Sequence, residues 1–123
     1  MTLNTRSEKN LTGVHPDLVK IVRKAAESAS FVVIEGLRTA ERQAQLFKAG
    51  ATKTLKSRHL TGHAVDLAVL VGDEIRWDWP LYAKQAEAVK QAAKQLKIPL
   101  EWGGDWETFK DGPHFQLPWK EYP

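Results

Sequence analysis

The chain has 123 residues, 42% of them hydrophobic and 27% charged, a size and composition that predict one folded domain and exclude a fibrous or largely disordered protein. It contains no cysteine, so disulfides and thiolate metal ligands are excluded, and any metal site must use His, Asp or Glu. Eighteen Lys and Arg against fifteen Asp and Glu give a net charge of +3, which favours anionic surroundings without distinguishing cell-wall polymer, phospholipid and nucleic acid.

The N-terminal stretch MTLNTRSEKNLTG lacks the apolar core of a secretory signal. No segment of the chain approaches the ~20 consecutive apolar residues of a membrane-spanning helix. We therefore expect no stable membrane insertion. If the protein acts outside the cytoplasm, we expect another factor to release it.

A helix and a strand are predicted in the first third of the chain. In HPDLVKIVRKAAESA the apolar residues recur at helical spacing, and Pro16 suits the first turn of a helix. The following FVVIEG is a short run rich in β-branched residues and closed by Gly36, which predicts a buried strand. The end of this strand delivers Arg38 to the next turn.

A second helix is predicted over AERQAQLFKAG. Thr39 is a suitable N-cap for it, and Gly50 supplies a C-terminal stop. Its predicted apolar stripe consists of Ala44, Leu46 and Phe47. Over residues 51–56 the pattern vanishes, which predicts a polar loop.

The segment AVDLAVLVGDEIRW predicts a β-hairpin, because Gly72-Asp73 suits a two-residue turn between runs rich in Val, Ile and Trp. Side chains alternate along its first strand, so Asp66 lies on one face between two alanines that leave space above it. The other face is wholly apolar and is expected to pack against helices; it consists of Val65, Leu67, Val69 and Val71.

The longest helical pattern is PLYAKQAEAVKQAAKQLKIP, with Pro80 near its start and Pro99 just past its end. We expect this helix to be scaffold anchored by Leu81, Val89 and Leu96. The C-terminal LEWGGDWETFKDGPHFQLP mixes aromatic residues with glycine turns and predicts short strands over 100–102 and 114–117.

These elements predict an α+β fold in one domain covering residues 1–123. A small, mainly antiparallel sheet is expected, with helices packed against it. The sequence contains no internal repeat and no linker that would divide it.

Asp66 needs a strong partner, because an ionised carboxylate in an apolar strand is costly unless it is paired or bound to a metal. His59 precedes it by seven residues across a turn containing Gly62, so both side chains can reach one point. His114 is the best candidate for a third ligand, since it opens a strand-like HFQL and follows Asp111 by three residues. Each residue alone is more simply a hydrogen-bonded structural group, but the combination favours zinc with one position left for water.

The segment SRHLTGHAVD resembles the Ser-x-His-x-x-Gly-x-Ala-x-Asp signature of zinc D,D-carboxypeptidases and of the related L-alanyl-D-glutamate peptidases of phage endolysins. All the fixed positions are present, as Ser57, His59, Gly62, Ala64 and Asp66. DGPH resembles the family's final metal histidine with its preceding acid, and GLRT resembles the segment carrying its upstream arginine. The resemblance continues through WGGDW to GPHFQL and favours the phage lysin branch, because the acid is Asp where the vancomycin-resistance dipeptidases carry Glu.

The resemblance implies a D-Ala-D-Ala metallopeptidase or hedgehog-like fold with the zinc site on the sheet. His59, Asp66 and His114 are then the zinc ligands, and Asp111 is the general base and acid. Arg38 is implied to stabilise the tetrahedral oxyanion, with a surface salt bridge as the alternative. Ser57 is implied to bind the substrate or orient the site.

The implied substrate is the peptide stem of peptidoglycan, cleaved at the L-Ala–D-Glu bond during phage-driven host lysis. We also expect a monomer, and the sequence shows no separate cell-wall-binding module. Such a protein is made in the host cytoplasm without a signal peptide and acts on the cell wall, in the periplasm, after release by another factor. Trp102 and Trp106 are candidates for a wall of the site, with burial in the core as the alternative.

Three alternatives remain open at the level of sequence. A D-Ala-D-Ala carboxypeptidase would use the same zinc centre to trim stem peptides. A hedgehog-like module would carry the zinc but act as a binding protein, although the presence of Asp111 beside three ligands favours catalysis. Nucleic-acid binding rests only on positive charge and five tryptophans, and no basic-aromatic motif supports it, so we expect no nucleic-acid partner.

Overall fold

The computed structural model describes residues 3–50, 57–107 and 110–123. The predicted polar loop over 51–56 lies outside the described residues. The helices are α1 Thr5–Asn10, α2 Pro16–Ala25, α3 Ala40–Lys48 and α4 Trp79–Leu96. The strands are β1 Phe31–Glu35, β2 Ala64–Val71, β3 Glu74–Arg76, β4 Glu101–Trp102 and β5 His114–Gln116. Short 3₁₀ turns span Arg58–Thr61 and Gly103–Asp105. This arrangement confirms the predicted α+β fold.

The sheet is antiparallel, with strand order β1-β2-β5-β4 and with β3 paired to the end of β2. The hairpin between β2 and β3 turns at the predicted Gly72, whose φ of 63° is favourable for glycine. Within the sheet, Asp66 lies opposite His114 on β5 and opposite Glu35 on β1. The central strand therefore carries Asp66 between chemical groups supplied by both of its neighbours.

One face of β2 packs against helices, as its alternation predicts. Val65, Leu67 and Val69 belong to a core that α2 and α4 complete, the helical contribution consisting of Leu18, Ile21, Val22, Ala25, Ala86, Val89, Ala92 and Ala93. The prediction is wrong for Val71, which is 49% exposed because it is the last residue of the strand, next to the hairpin turn. Packing of this apolar face against the helices fixes the position of the sheet, and therefore of the opposite face, which carries Asp66.

Helix α1 is not anticipated by the sequence analysis, because its six residues carry no apolar periodicity. Hydrogen bonds stabilise it instead. The Asn4 side chain accepts from the backbone N–H of Ser7, and the Asn10 amide donates to the carbonyl of Val33. The buried Ser7 hydroxyl accepts from the N–H of Val33. Hydrogen bonds to β1, and not a hydrophobic stripe, therefore hold this helix against the sheet.

Two details of the other helices differ from expectation. Helix α3 begins after the predicted cap, with Thr39 Oγ1 accepting from the N–H of Arg42, but its buried side chain is Gln43. The predicted stripe is wrong, since Ala44 and Phe47 are exposed. On α4, Leu96 is exposed at the last turn and is no anchor. Among the helices of the described residues, none has the length and apolarity needed to cross a bilayer.

Candidate metal centre

The three predicted ligands reach one point from separate segments. Asp66 and His114 are direct cross-strand neighbours on β2 and β5, so their side chains stand on the same face of the sheet. His59 lies in the 3₁₀ turn that precedes β2. Gly62 ends this turn, at a φ of 75°. The backbone of this turn is tied to the end of β1, because the N–H of Arg38 donates to the carbonyl of His59 at 2.8 Å.

The donor atoms of these side chains have the spacing of a metal site. Asp66 Oδ1 lies 3.3 Å from His59 Nε2 and 3.3 Å from His114 Nδ1. One ligand atom from each of the three residues lies within 4.8 Å of the others. Two donors that are each about 2.1 Å from one tetrahedral zinc ion lie roughly 3.4 Å apart. The donor set and its spacing therefore fit zinc.

The tautomer of His59 is fixed by its surroundings. Its Nδ1 lies 2.8 Å from the carbonyl oxygen of Gly36, which accepts only, so this nitrogen carries the hydrogen. The Nε2 atom is buried and has no hydrogen-bond partner among the residues that the structure describes. An unpartnered lone pair aimed at Asp66 is the arrangement that a metal ion would complete.

The tautomer of His114 is fixed by a chain of two polar residues. Gln116 Nε2 donates to Glu101 Oε1 at 3.2 Å, which turns the amide oxygen of Gln116 toward His114. This oxygen lies 2.8 Å from His114 Nε2, so that nitrogen carries the hydrogen. The Nδ1 lone pair of His114 is consequently free to face Asp66 and a metal.

Asp66 is charged in this environment. Burial alone would raise the pKa of Asp66, but when no metal is bound and the imidazoles of His114 and His59 are protonated, their hydrogen bonds and positive charge hold this pKa well below its usual range. The carboxylate form is the one that ligates a metal. The protein groups alone therefore hold Asp66 ready for a cation.

Asp111 lies beside the cluster on a tightly packed turn. Its N–H donates to the carbonyl of Gly103 at 3.0 Å, and its own carbonyl accepts from the N–H of His114. A Cβ atom at Gly103 would lie 2.5 Å from the Asp111 carbonyl oxygen, so this close approach requires glycine. Burial raises the pKa of Asp111, and the negative charge of Asp66 raises it further. A raised pKa suits a group that must both take and return a proton near neutrality.

Arg38 is buried within the site and is not a surface group. Its Nη1 donates to Gln43 Oε1 at 2.7 Å, and its Nη2 donates to Glu35. The same Nη2 lies 3.9 Å from Asp66 Oδ2. Each terminal amino group of a guanidinium has a second hydrogen, so the two bonds leave donor capacity for a further acceptor.

Ser57 caps the turn that carries His59. Its Oγ accepts from the N–H of His59 at 3.2 Å. The same residue lines the cleft, so it can serve the turn and still face a ligand.

These groups meet in a cleft of about 590 Å³. It is lined by the three metal-ligand candidates and by the other predicted site residues Arg38, Ser57 and Asp111. Trp106 also lines it, with its ring 5.1 Å from that of His114, whereas Trp102 is buried in the core. His63 lies elsewhere, with its ring 5.3 Å from that of His15. The two remaining histidines are thus separate from the cluster.

Comparison with known proteins identifies the family. Residues 1–117 match the family model described as phage L-alanyl-D-glutamate peptidase. The chain belongs to this family. The crystal structure of the L-Ala D-Glu endopeptidase ChiX of Serratia marcescens superposes with a TM-score of 0.94 at 50% identity, covering 100% of this chain and 94% of that one.

Two phage proteins named L-alanyl-D-glutamate peptidase are also similar. That of Escherichia phage T5 is 36% identical over 111 residues, which cover 85% of this chain and 81% of the relative. That of Listeria phage A118 is 38% identical over 91 residues, 74% of this chain. The match spans only 31% of the Listeria phage protein, so this relative is much longer than the chain.

Membership of the L-alanyl-D-glutamate peptidase family bears on the alternative functions that the sequence left open. It makes the chain a peptidase and favours this branch over the D-Ala-D-Ala carboxypeptidases and the hedgehog-like binding modules. Nothing in the match supports a nucleic-acid-binding protein.

Several polar residues of the centre are absent from the sequence-based prediction. Glu35 and Gln43 engage Arg38, and Gln116 and Glu101 form the chain behind His114. Gln116 could have been found, because alternation along β5 puts it on the same face as His114. Glu101 carries no such signal, since its partner Gln116 lies 15 residues away on another strand. Gln43 carries none either, since only the fold places its side chain against Arg38.

Replacing Gln116 by Leu is expected to weaken zinc binding about 10- to 100-fold, because His114 loses the acceptor that fixes its tautomer. Zinc affinity measured by competition with a chromogenic chelator checks this. Gln85→Leu is the matched control, since it removes another buried glutamine whose amide donates to the carbonyl of Leu67. Equal zinc affinities in the two variants would show that the Gln116 hydrogen bond does not orient the ligand.

Proposed function

We propose that the chain is a zinc-dependent peptidoglycan endopeptidase that hydrolyses the L-Ala–D-Glu bond of the stem peptide. One observation carries this proposal: His59 Nε2, Asp66 Oδ1 and His114 Nδ1 converge at metal-ligand spacing in the wall of an open cleft. The family membership supports the substrate class. The orphaned nitrogen of His59 and the fixed tautomer of His114 support a bound metal over a purely structural cluster.

Zinc is the metal that best suits two imidazoles and one carboxylate, and when bound it supplies a Lewis acid that lowers the pKa of water toward about 7. The chain's own residues then carry the proton and the charge. Asp111 takes the proton of the attacking water and returns it to the leaving amine, a role worth typically ~10²–10⁴ in rate. The raised pKa of Asp111 suits both steps.

Arg38 is proposed to stabilise the negative oxygen that develops on the scissile carbonyl. Its guanidinium is held by Glu35 and Gln43 and therefore needs little reorganisation when the charge appears. Ser57 is proposed to position the substrate from the adjoining turn, where it lines the cleft. It is not proposed as a nucleophile, because water serves that purpose.

The protein is proposed to act as a monomeric single catalytic domain on the cell wall. Expression in the cytoplasm and release by another factor would bring it to peptidoglycan in the periplasm. The proposal includes no stable insertion in a membrane and no nucleic-acid partner.

Removal of the metal tests the proposal directly. Treatment of the purified protein with a strong chelator should lower peptidoglycan hydrolysis at least about 100-fold, because a bound metal lowers the activation barrier by several kcal/mol. Stoichiometric zinc should restore activity, whereas magnesium should not, since this donor set suits zinc. Mass spectrometry of the products should find new D-Glu amino termini.

Two outcomes would contradict the proposal. Full hydrolysis by protein shown by elemental analysis to contain no metal would remove zinc from the reaction. Release of free D-alanine without new D-Glu amino termini would instead identify a carboxypeptidase.

A further inference from the structure

Trp119 is a prominent residue of the cleft that the proposed reaction does not use. It lines the cleft together with the metal-ligand candidates, yet 55% of its surface is exposed. An exposed indole at the edge of an active-site cleft offers a flat apolar surface with a polar edge. Such a surface suits a ligand that has both apolar C–H groups and hydroxyls.

The indole of Trp119 packs against the guanidinium of Arg58. The guanidinium carbon of Arg58 lies 4.1 Å from the centroid of the Trp119 ring, a cation–π contact. Arg58 is itself buried and donates to the carbonyls of Leu117 and Tyr122. One face of the ring is thus covered by a fixed cation, and the exposed part of the ring remains open to a ligand without reorganisation.

The two flanks of the cleft differ in chemistry. Strand β2 lies between β1 and β5, so segments that follow β1 and β5 border opposite sides of Asp66. The β1 side carries two cations that line the cleft, Arg38 and Arg42, against one carboxylate, that of Glu35. The β5 side carries Trp119 and one opposite pair of charges, the carboxylate of Glu101 and the Arg58 guanidinium under the Trp119 ring. The β1 side therefore has the excess of positive charge, so it is the side on which an anionic ligand group is favoured.

The substrate has a matching asymmetry, and this step rests on the proposed function. On one side of the L-Ala–D-Glu bond lies the glutamyl residue, which carries a carboxylate. On the other side, L-Ala is joined by an amide to the lactyl group of the muramyl sugar, so the glycan attached there carries no charge at that point. The anionic half suits the arginine flank, which leaves the uncharged saccharide for the tryptophan flank.

We propose that Trp119, stacked on Arg58, is a saccharide-binding platform that packs against the muramyl sugar next to the scissile bond. The axial C–H groups of a pyranose ring contact the indole face, while the ring's hydroxyl and acetamido groups remain hydrated or reach the cleft rim. The platform makes the enzyme prefer stems still attached to glycan over free stem peptides.

The test compares two substrates that share the scissile bond. One is a disaccharide-tetrapeptide released by a muramidase, and the other is the free tetrapeptide released by an amidase. The ratio of kcat/KM for the glycan-bearing over the free substrate should fall about tenfold in Trp119→Ala, equivalent to about 1.4 kcal/mol. Trp119→Tyr should retain most of the ratio, because it keeps a planar ring.

The matched control is Trp77→Ala. Trp77 is similarly exposed, at 57%, but does not line the cleft. Its replacement should leave the ratio at the wild-type value. An unchanged ratio in Trp119→Ala would overturn the saccharide platform, whether the two activities are both retained or fall by the same factor.

A binding measurement separates this proposal from the proposed hydrolysis. In metal-free protein, titration with the GlcNAc–MurNAc disaccharide should shift the indole N–H resonance that disappears in Trp119→Ala. The absence of a shift at millimolar disaccharide would contradict the platform even if the enzyme cleaves both substrates. Conversely, a shift in a protein that cleaves neither substrate would refute the proposed function and retain the sugar site.

Discussion

Replacing Asp66 by Asn is expected to lower zinc affinity more than 100-fold, beyond the 10–100-fold effect of losing a partner outside the ligand set. The amide has nearly the shape of the carboxylate but lacks the charge that attracts the cation. Hydrolysis of peptidoglycan should fall to background at stoichiometric zinc. Zinc titration against a competing chelator and a product assay measure the two effects.

A second readout of Asp66→Asn is thermal stability. Zinc that binds only the folded state should raise the midpoint of unfolding of the wild-type protein, and the same zinc concentration should leave the variant unchanged. The control is Asp73→Asn, because Asp73 is an exposed residue in the turn that closes the same hairpin. If Asp66→Asn bound zinc as tightly as Asp73→Asn, Asp66 would not be a ligand.

The cluster of His59, Asp66 and His114 was predictable because its residues follow local sequence rules. Asp66 stands out because a charge interrupts an apolar strand, and strand alternation then determines the face on which it lies. Gly62 marks the reversal that returns His59 to that face, at a φ that favours glycine. His114 opens a strand, and the register that puts it directly opposite Asp66 is a property of the sheet. The sequence therefore predicts the members of the cluster, while the fold brings their atoms to 3.3 Å.

Apart from Gln116, the supporting residues were not predictable, because they depend on tertiary contacts. Gln43 lies near the start of a helix whose apolar residues suggest the wrong buried face, and its buried amide oxygen accepts a hydrogen bond from Arg38. Helix α1 is held by two hydrogen bonds with Val33 and not by an apolar stripe: Ser7 Oγ accepts from the Val33 N–H, and the Asn10 amide donates to the Val33 carbonyl. Hydrophobic periodicity carries no information on such bonds.

The same distinction applies to the rim of the cleft. Trp106 and Trp102 are four residues apart and both aromatic, but the first lines the cleft and the second packs in the core. The Gly103-Gly104 pair between them makes a 3₁₀ turn that separates the two directions. Where each tryptophan points depends on this turn, which composition alone does not determine.

Replacing Asp111 by Asn is expected to lower kcat by ~10²–10⁴ while zinc affinity stays within about tenfold of wild type, because Asn cannot accept the proton of the attacking water. The turn should persist, since its hydrogen bonds use the backbone N–H and carbonyl of residue 111 and not the side chain. Steady-state kinetics on a defined stem peptide and chelator competition measure the two quantities separately.

The pH dependence of the wild-type enzyme follows from the same residue. A general base works only when deprotonated, so kcat/KM should fall as pH drops through the pKa of Asp111, which burial and Asp66 hold above its ordinary value. This acidic limb should vanish from the residual activity of Asp111→Asn and persist in Asp105→Asn, because Asp105 is exposed and pairs with Lys90. An Asp111→Asn variant that kept wild-type kcat and the same acidic limb would assign the proton transfer to another group. A variant that lost zinc would make Asp111 part of the metal site instead, because removing a base from the reaction leaves the ligands intact.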